Sequence, residues 1–309
     1  MKTKDIIGIR IRYVRTLAFV YILLLTCAGL RAQEEDFNLA GISYTLYPAV
    51  GLKNPANAQL EGTEVDLQEF RAFILVPFRQ KNENTVLLAG ADYTFLGGPL
   101  KELPGDRSVS ANLHAIRLSG GIQQKLGDHW GIRAMLRPTF ASDLSGDLGG
   151  AAFTLQASAL LRHITGQGYT YGLGAAYTNG FGEPKMVPVA EFTYRSDRME
   201  VAVLAPIQAA FRYQLDKLVL GFHVELQGNE YALDVTNATG NLGQVESLKF
   251  SRYNIGPTVS TDLTNGLRLQ LSGGLSLKRK LTATLADASS EDYGLESGAF
   301  IRAALLLVK

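Results

Sequence analysis

A repeating alternation of apolar and polar residues, interrupted by turns, runs through most of the chain from about residue 38 to residue 308. In the clearest copy, residues 218–227, every second residue is Leu, Phe or Val, and residues such as His223 and Glu225 occupy positions between them. Successive side chains of a β-strand point to opposite faces. About ten residues with one apolar face is the length that a tilted strand needs to cross a bilayer. The pattern therefore predicts an all-β fold, an antiparallel transmembrane β-barrel.

The predicted strands number about fourteen, and twelve is the second choice. The count depends on whether residues 199–215 form two strands, 199–205 and 207–215, that divide at Ala205-Pro206. A turn is favoured there because proline cannot donate a hydrogen bond to a central ladder. The connections alternate between short turns and longer loops. In outer-membrane barrels the short turns are periplasmic and the longer loops lie outside. The predicted strands are 38–52, 66–79, 85–96, 109–126, 130–142, 150–163, 169–180, 186–195, 199–205, 207–215, 218–228, 248–261, 267–284 and 296–308.

The N-terminal region has the composition of an export signal. Five basic residues precede an apolar stretch at 17–30, and an acidic segment begins at Glu34. This pattern predicts a secretory signal peptide at residues 1–32, followed by a single barrel domain at residues 33–309. The alternatives are an uncleaved anchor, for which the apolar stretch is short of the usual length of about 20 residues, and lipoprotein processing at Cys27.

Removal of residues 1–32 changes the charge of the chain. Six of the 30 Lys and Arg residues and one of the 29 Asp and Glu residues lie there, which leaves 24 against 28 and a net charge of −4. No basic surface for nucleic acid is predicted. Cys27 is the only cysteine, so the mature chain can form no disulfide, thiolate metal site or cysteine nucleophile. Because residues 33–309 lack a stretch long enough for a transmembrane helix, a soluble all-β protein and a closed membrane barrel remain.

The interior of the barrel follows from the parity of each strand. Arg or Lys on the lipid face costs about 2–4 kcal/mol at the bilayer midplane, so the polar set is predicted to face inwards. Interior charges tune selectivity, and an arginine-rich interior favours anionic or polar solutes. Alternatively, these arginines pair with Glu69, Asp92, Glu191, Glu200 and Glu225 and fill the barrel. The predicted lumen-lining residues are Arg71, Arg117, Arg133, Arg137, Arg162, Arg195, Arg212, His223, Glu225, Arg252, Arg268 and Arg302.

Enzymatic activity has little support from the sequence. Of the four histidines only His223 has an acidic neighbour on its own face, Glu225, and no serine nucleophile is placed beside this pair. No catalytic residue, metal site or cofactor is predicted. An outer-membrane enzyme is the third hypothesis, after a channel and a non-conducting barrel.

Residues 33–309 resemble uncharacterised outer-membrane β-barrel families of Gram-negative bacteria, whose domains have no assigned function. The resemblance rests on the alternation of residues and of loop lengths. It implies a location in the cell outer membrane, in contact with lipid and lipopolysaccharide. It also implies periplasmic chaperones in transit and the outer-membrane assembly machinery as partners. The function it favours is a porin-like channel for small solutes, or else a non-conducting barrel that partners envelope machinery. The oligomeric state stays open.

Overall fold

The structure, a computed structural model, describes residues 38–53, 64–81, 84–103, 107–144, 153–233, 245–285 and 290–308. The predicted signal peptide at residues 1–32 lies outside these ranges. Every regular element in the described residues is a strand, and no helix there is long and apolar enough to cross a membrane. The strands are β1 (Asn38–Lys53), β2 (Glu64–Arg79), β3 (Thr85–Leu103), β4 (Arg107–Lys125), β5 (Trp130–Ser142), β6 (Phe153–Ile164), β7 (Tyr169–Thr178), β8 (Lys185–Arg195), β9 (Met199–Ala205), β10 (Gln208–Leu215), β11 (Leu218–Ala232), β12 (Val245–Thr264), β13 (Leu267–Leu285), β14 (Ser290–Leu295) and β15 (Gly298–Val308).

The strands close into one antiparallel barrel. Each strand from β1 to β12 pairs with the next, β12 pairs with β13, β13 with β15, and β15 with β1. The short β14 continues the register of β15, because Ser276 of β13 pairs with Gly298 while Lys280 pairs with Gly294. β14 and β15 are thus two parts of one wall strand. The prediction of a fourteen-strand antiparallel barrel is confirmed.

The two faces of the wall differ as the alternation predicts. Leu118, Leu173 and Leu271 on the outer face are exposed, whereas interior residues next to them along the strands, such as Ser272, are buried. Aromatic rings gather where β5, β7 and β8 meet the short turns; for example, the rings of Tyr169 and Tyr194 lie 4.6 Å apart. An apolar band with aromatic girdles is the lipid-facing surface of a transmembrane barrel.

A β-bulge in β13 reverses the predicted alternation. The register between β12 and β13 shifts opposite Arg252, and Lys278 adopts a φ of 47°. A bulge adds one residue to a strand, so the residues beyond it change face. Unbroken alternation from Arg268, a predicted lumen-lining residue of the same strand, would place Lys278 on the inner face. That placement is wrong, because Lys278 is exposed and Arg279 is buried in the interior instead.

The outer end of β11 crosses the interior towards the opposite wall. Ala232 pairs with Ser142 of β5, and the amide of Asp143 donates to the carbonyl of Ala232 at 3.2 Å. β9 and β10 are short, with seven and eight residues, so the outer part of β11 has no β10 partner. The segment after β7 reaches it instead, because Asn179 Nδ2 donates to Asn229 Oδ1 at 2.9 Å.

An apolar core occupies the outer part of the barrel interior. It joins residues of β2 to β5 with residues of β11, β12 and β14. Since these strands belong to different sides of the wall, the cluster fills the space between them, and we name it the outer apolar cluster. Its buried members are Val65, Leu96, Leu113, Ala115, Ala141, Tyr231, Phe250 and Leu295.

Candidate functional site: the barrel interior

The five acidic residues predicted to balance the arginines all form ion pairs. A buried charge is tolerated when a partner and hydrogen bonds compensate its desolvation. The pairs are Asp92 with Arg71 (2.5 Å) and Arg117 (3.8 Å), Glu191 with Arg162 (2.8 Å), Glu200 with Arg195 (2.8 Å) and Arg212 (2.7 Å), Glu225 with Arg302 (3.3 Å), and Glu69 with Arg252.

Two interior-facing arginines on β5 stand outside these pairs. Arg133 and Arg137 share a face with Met135 and Thr139, both of which are buried, and neither has an ion-pair partner among the described residues. Arg137 is nevertheless exposed, so solvent-accessible space lies beside it within the barrel. Arg117 is a neighbour of this pair, since its Nε donates to Thr139 Oγ1 at 3.3 Å. This side of the interior therefore carries a surplus of positive charge.

The remaining predicted residues lie elsewhere along the barrel. Arg268 pairs with Asp262 at 2.6 Å beside the short turn between β12 and β13. The ring of His223 packs edge-on against Phe300, with centroids 5.9 Å apart, and no described side chain hydrogen-bonds to its nitrogens. Among the described residues, therefore, no side chain is hydrogen-bonded to His223 as a nucleophile would be to its base. No group of three or more His, Cys, Asp or Glu that could hold a metal occurs in the described ranges.

Tyr47 lies in the interior just below the outer apolar cluster and contacts polar residues of β12 and β13. The side chain is fully buried, and its hydroxyl accepts a hydrogen bond from Asn254 Nδ2 at 3.0 Å. The guanidinium carbons of Arg252 and Arg279 lie 3.9 and 5.9 Å from the centre of its ring. Cations over an aromatic face are attracted by the ring's quadrupole. Tyr47 therefore holds two cations close together.

Arg279 is an interior residue that the parity argument missed. The only sign of it in the sequence is a run of three basic residues, Lys278 to Lys280. In a strand, either Arg279 faces inwards or Lys278 and Lys280 do, because neighbouring residues point to opposite faces. The choice depends on the bulge, which no local pattern in the sequence marks.

Comparison with known proteins gives a family but no function. Residues 28–290 match the family model described as a domain of unknown function (DUF6268). No curated protein matches.

Several solved structures are similar to this chain at low sequence identity. A TodX monoaromatic hydrocarbon channel mutant (deltaS2S3) has 10% identity and a TM-score of 0.45. A FadL homologue from Pseudomonas aeruginosa has 10% identity and a TM-score of 0.42. The toluene transporter TodX from P. putida has 8% identity and a TM-score of 0.40. Each alignment covers 87% of this chain and 89% of the other. Similarity at this level says nothing about substrate. The family match spans most of the barrel, and the chain belongs to the DUF6268 family, a family of domains of unknown function.

Proposed function

We propose that this barrel is an outer-membrane channel for small anionic or polar solutes. The observation that carries the proposal is the pair Arg133 and Arg137, which face inwards without an ion-pair partner among the described residues, Arg137 being exposed to solvent. Unpaired charge inside a barrel wall is costly unless water or a counter-ion reaches it. A water-filled interior with surplus positive charge raises the local concentration of anions and sets selectivity.

A location in the outer membrane belongs to the same proposal. The exposed apolar outer face would contact lipid and lipopolysaccharide. A barrel of this kind would reach the membrane with periplasmic chaperones and the outer-membrane assembly machinery. Fractionation of the envelope tests the location: the protein should stay with outer membranes after a carbonate wash, and its recovery among soluble periplasmic proteins would contradict it.

A non-conducting barrel is the second candidate, and the outer apolar cluster favours it. A buried cluster between opposite walls narrows the outer end of the interior. An apolar constriction of this kind excludes water and ions. The two candidates therefore differ in whether the purified protein passes ions.

Conductance in planar bilayers decides between them. For a channel, the wild-type protein should show discrete current steps, and its reversal potential in a KCl gradient should indicate a preference for chloride. The Arg133→Gln/Arg137→Gln variant should shift that potential towards potassium. Lys217→Gln, a change in an exposed turn, removes one positive charge outside the interior and should leave the reversal potential unchanged. Absence of conductance would favour the non-conducting barrel, and cation preference in the wild type would refute anion selectivity.

A further inference from the structure

Four buried polar residues on the inner face of β12 and β13 have atoms without hydrogen-bond partners in the part of the chain that the structure describes. Arg252, Asn254, Ser276 and Arg279 are each at most 2% exposed. The unpartnered atoms are Nε, Nη1 and Nη2 of Arg279, Nη1 of Arg252, Oγ of Ser276 and Oδ1 of Asn254. Buried polar atoms in native proteins almost always bond to protein, water or an ion. The concentration of exceptions on one hairpin indicates a ligand position.

The strand register places these residues side by side. Asn254 and Ser276 are directly paired across β12 and β13, and Arg252 lies opposite the bulge that contains Arg279. Tyr47 of β1 connects the set, because both guanidinium groups lie over its ring and its hydroxyl binds Asn254. Three strands therefore hold one group of donors in the interior.

Arg279 differs from every other fully buried cation of the described interior. Arg252 is compensated by Glu69 and by Gln227, whose Oε1 accepts from its Nη2 at 2.8 Å. No acidic side chain among the described residues lies within ion-pair distance of Arg279, and the group that shares the Tyr47 ring with it is another cation, Arg252. A buried guanidinium with all donor nitrogens unused lacks the compensation that burial of a charge requires.

We propose that Arg279, Arg252 and Ser276 bind a small soluble oxyanion, the carboxylate or phosphate group of a solute in the barrel. A guanidinium presents two parallel N–H groups that match two anionic oxygens. The free Nη1 of Arg252 and the Ser276 hydroxyl supply further donors. Asn254 Oδ1 is an acceptor and suits a ligand hydroxyl, such as that of hydrogen phosphate. Binding does not require conduction, but the role of this site in solute passage rests on the proposed channel function.

Gly298 of β15 lies next to the end of the Arg279 side chain. A Cβ at position 298 would lie 3.2 Å from Arg279 Nη1 and 2.5 Å from a methyl carbon of Val50. A side chain there would displace the guanidinium or Val50. Gly298→Ala is therefore a second variant that perturbs the site without changing its charge.

Calorimetric titration of the lipid-free protein in neutral detergent, with inorganic phosphate and separately with acetate, tests the site. The wild type should bind at least one of these anions. Arg279→Met should weaken binding at least tenfold, which is about 1.4 kcal/mol, and Arg279→Lys, which keeps the charge but loses the planar fork, should bind more weakly than the wild type. Lys278→Met is the matched control: it removes a neighbouring positive charge from the outer face and should bind like the wild type.

Gel migration, thermal melting and conductance measure folding and channel function independently of anion binding. Arg279→Met should migrate as a compact barrel on unheated denaturing gels and melt no lower than the wild type without anion, because it removes an uncompensated buried charge. Absence of binding by the wild type, unchanged binding by Arg279→Met, or binding that requires anionic lipid would each overturn the site. Binding without conductance would overturn only the channel, whereas conductance without binding would overturn only the site.

Discussion

The ion pair between Arg252 and Glu69 links β12 to β2 across the interior, and its side chains are only 2% and 9% exposed. Arg252 also donates to Gln227 Oε1 from Nε at 3.1 Å and from Nη2 at 2.8 Å. We expect Arg252→Met to destabilise the barrel strongly, because it leaves the Glu69 carboxylate buried without its cation.

The magnitude follows from what each variant leaves uncompensated. Removal of one partner of a buried pair costs about 3–5 kcal/mol, which is the expected loss for Arg252→Met. Glu69→Gln should cost less, about 1.5–3 kcal/mol for a lost charge-assisted hydrogen bond, since Arg252 keeps Gln227 and the Tyr47 ring. The double variant Glu69→Gln/Arg252→Met should be more stable than the sum of the two single effects predicts, since it leaves no unpaired charge.

Urea unfolding in lipid vesicles, followed by tryptophan fluorescence, measures these free energies. Trp130 is the only tryptophan and lies on the outer face with 47% exposure, so its emission reports the transfer from lipid to water. A loss below about 1 kcal/mol for Arg252→Met, the value of an exposed pair, would refute the reasoning. It would show that water reaches this level of the interior and screens the pair.

Three further predictions concern the lipid face of the wall, the outer apolar cluster and the ion pair beside the short turn between β12 and β13. Leu118→Arg on the lipid face should destabilise the inserted barrel by about 2–4 kcal/mol in the same unfolding assay, and an unchanged midpoint would contradict the assigned face. Tyr231→Ala removes a ring from the outer apolar cluster and should increase single-channel conductance, whereas an unchanged current would mean that this cluster is not the constriction. Arg268 donates to the Asp262 carboxylate and keeps its pKa below the ordinary value, so this pair should stabilise the fold above the unfolded-state pKa and lose that effect as pH falls through the lowered folded-state pKa. NMR titration should show the Asp262 pKa rising in Arg268→Gln, and no change would contradict the pairing.

Much of the interior chemistry follows from local pattern. Glu191 and Arg162 lie on strands whose alternation is unbroken, so parity alone predicts that they share a face, and the structure pairs them at 2.8 Å. The same holds for Glu200 with Arg195 and Arg212, on three consecutive strands. Neighbouring strands joined by short turns have little freedom of register, because a shift by one residue would move every apolar side chain to the wrong face.

The sequence by itself therefore determined the architecture, the strand order and the side of the wall on which most charges lie, because alternation and turn length are local properties. Only the tertiary structure decided that Arg279 rather than Lys278 faces inwards, since a bulge is defined by pairing with a neighbouring strand. The contact of Ala232 with Ser142 is likewise beyond any local pattern, because it joins strands from opposite sides of the wall. Whether a cation is paired or left for a ligand depends on which distant strands the closed barrel brings together.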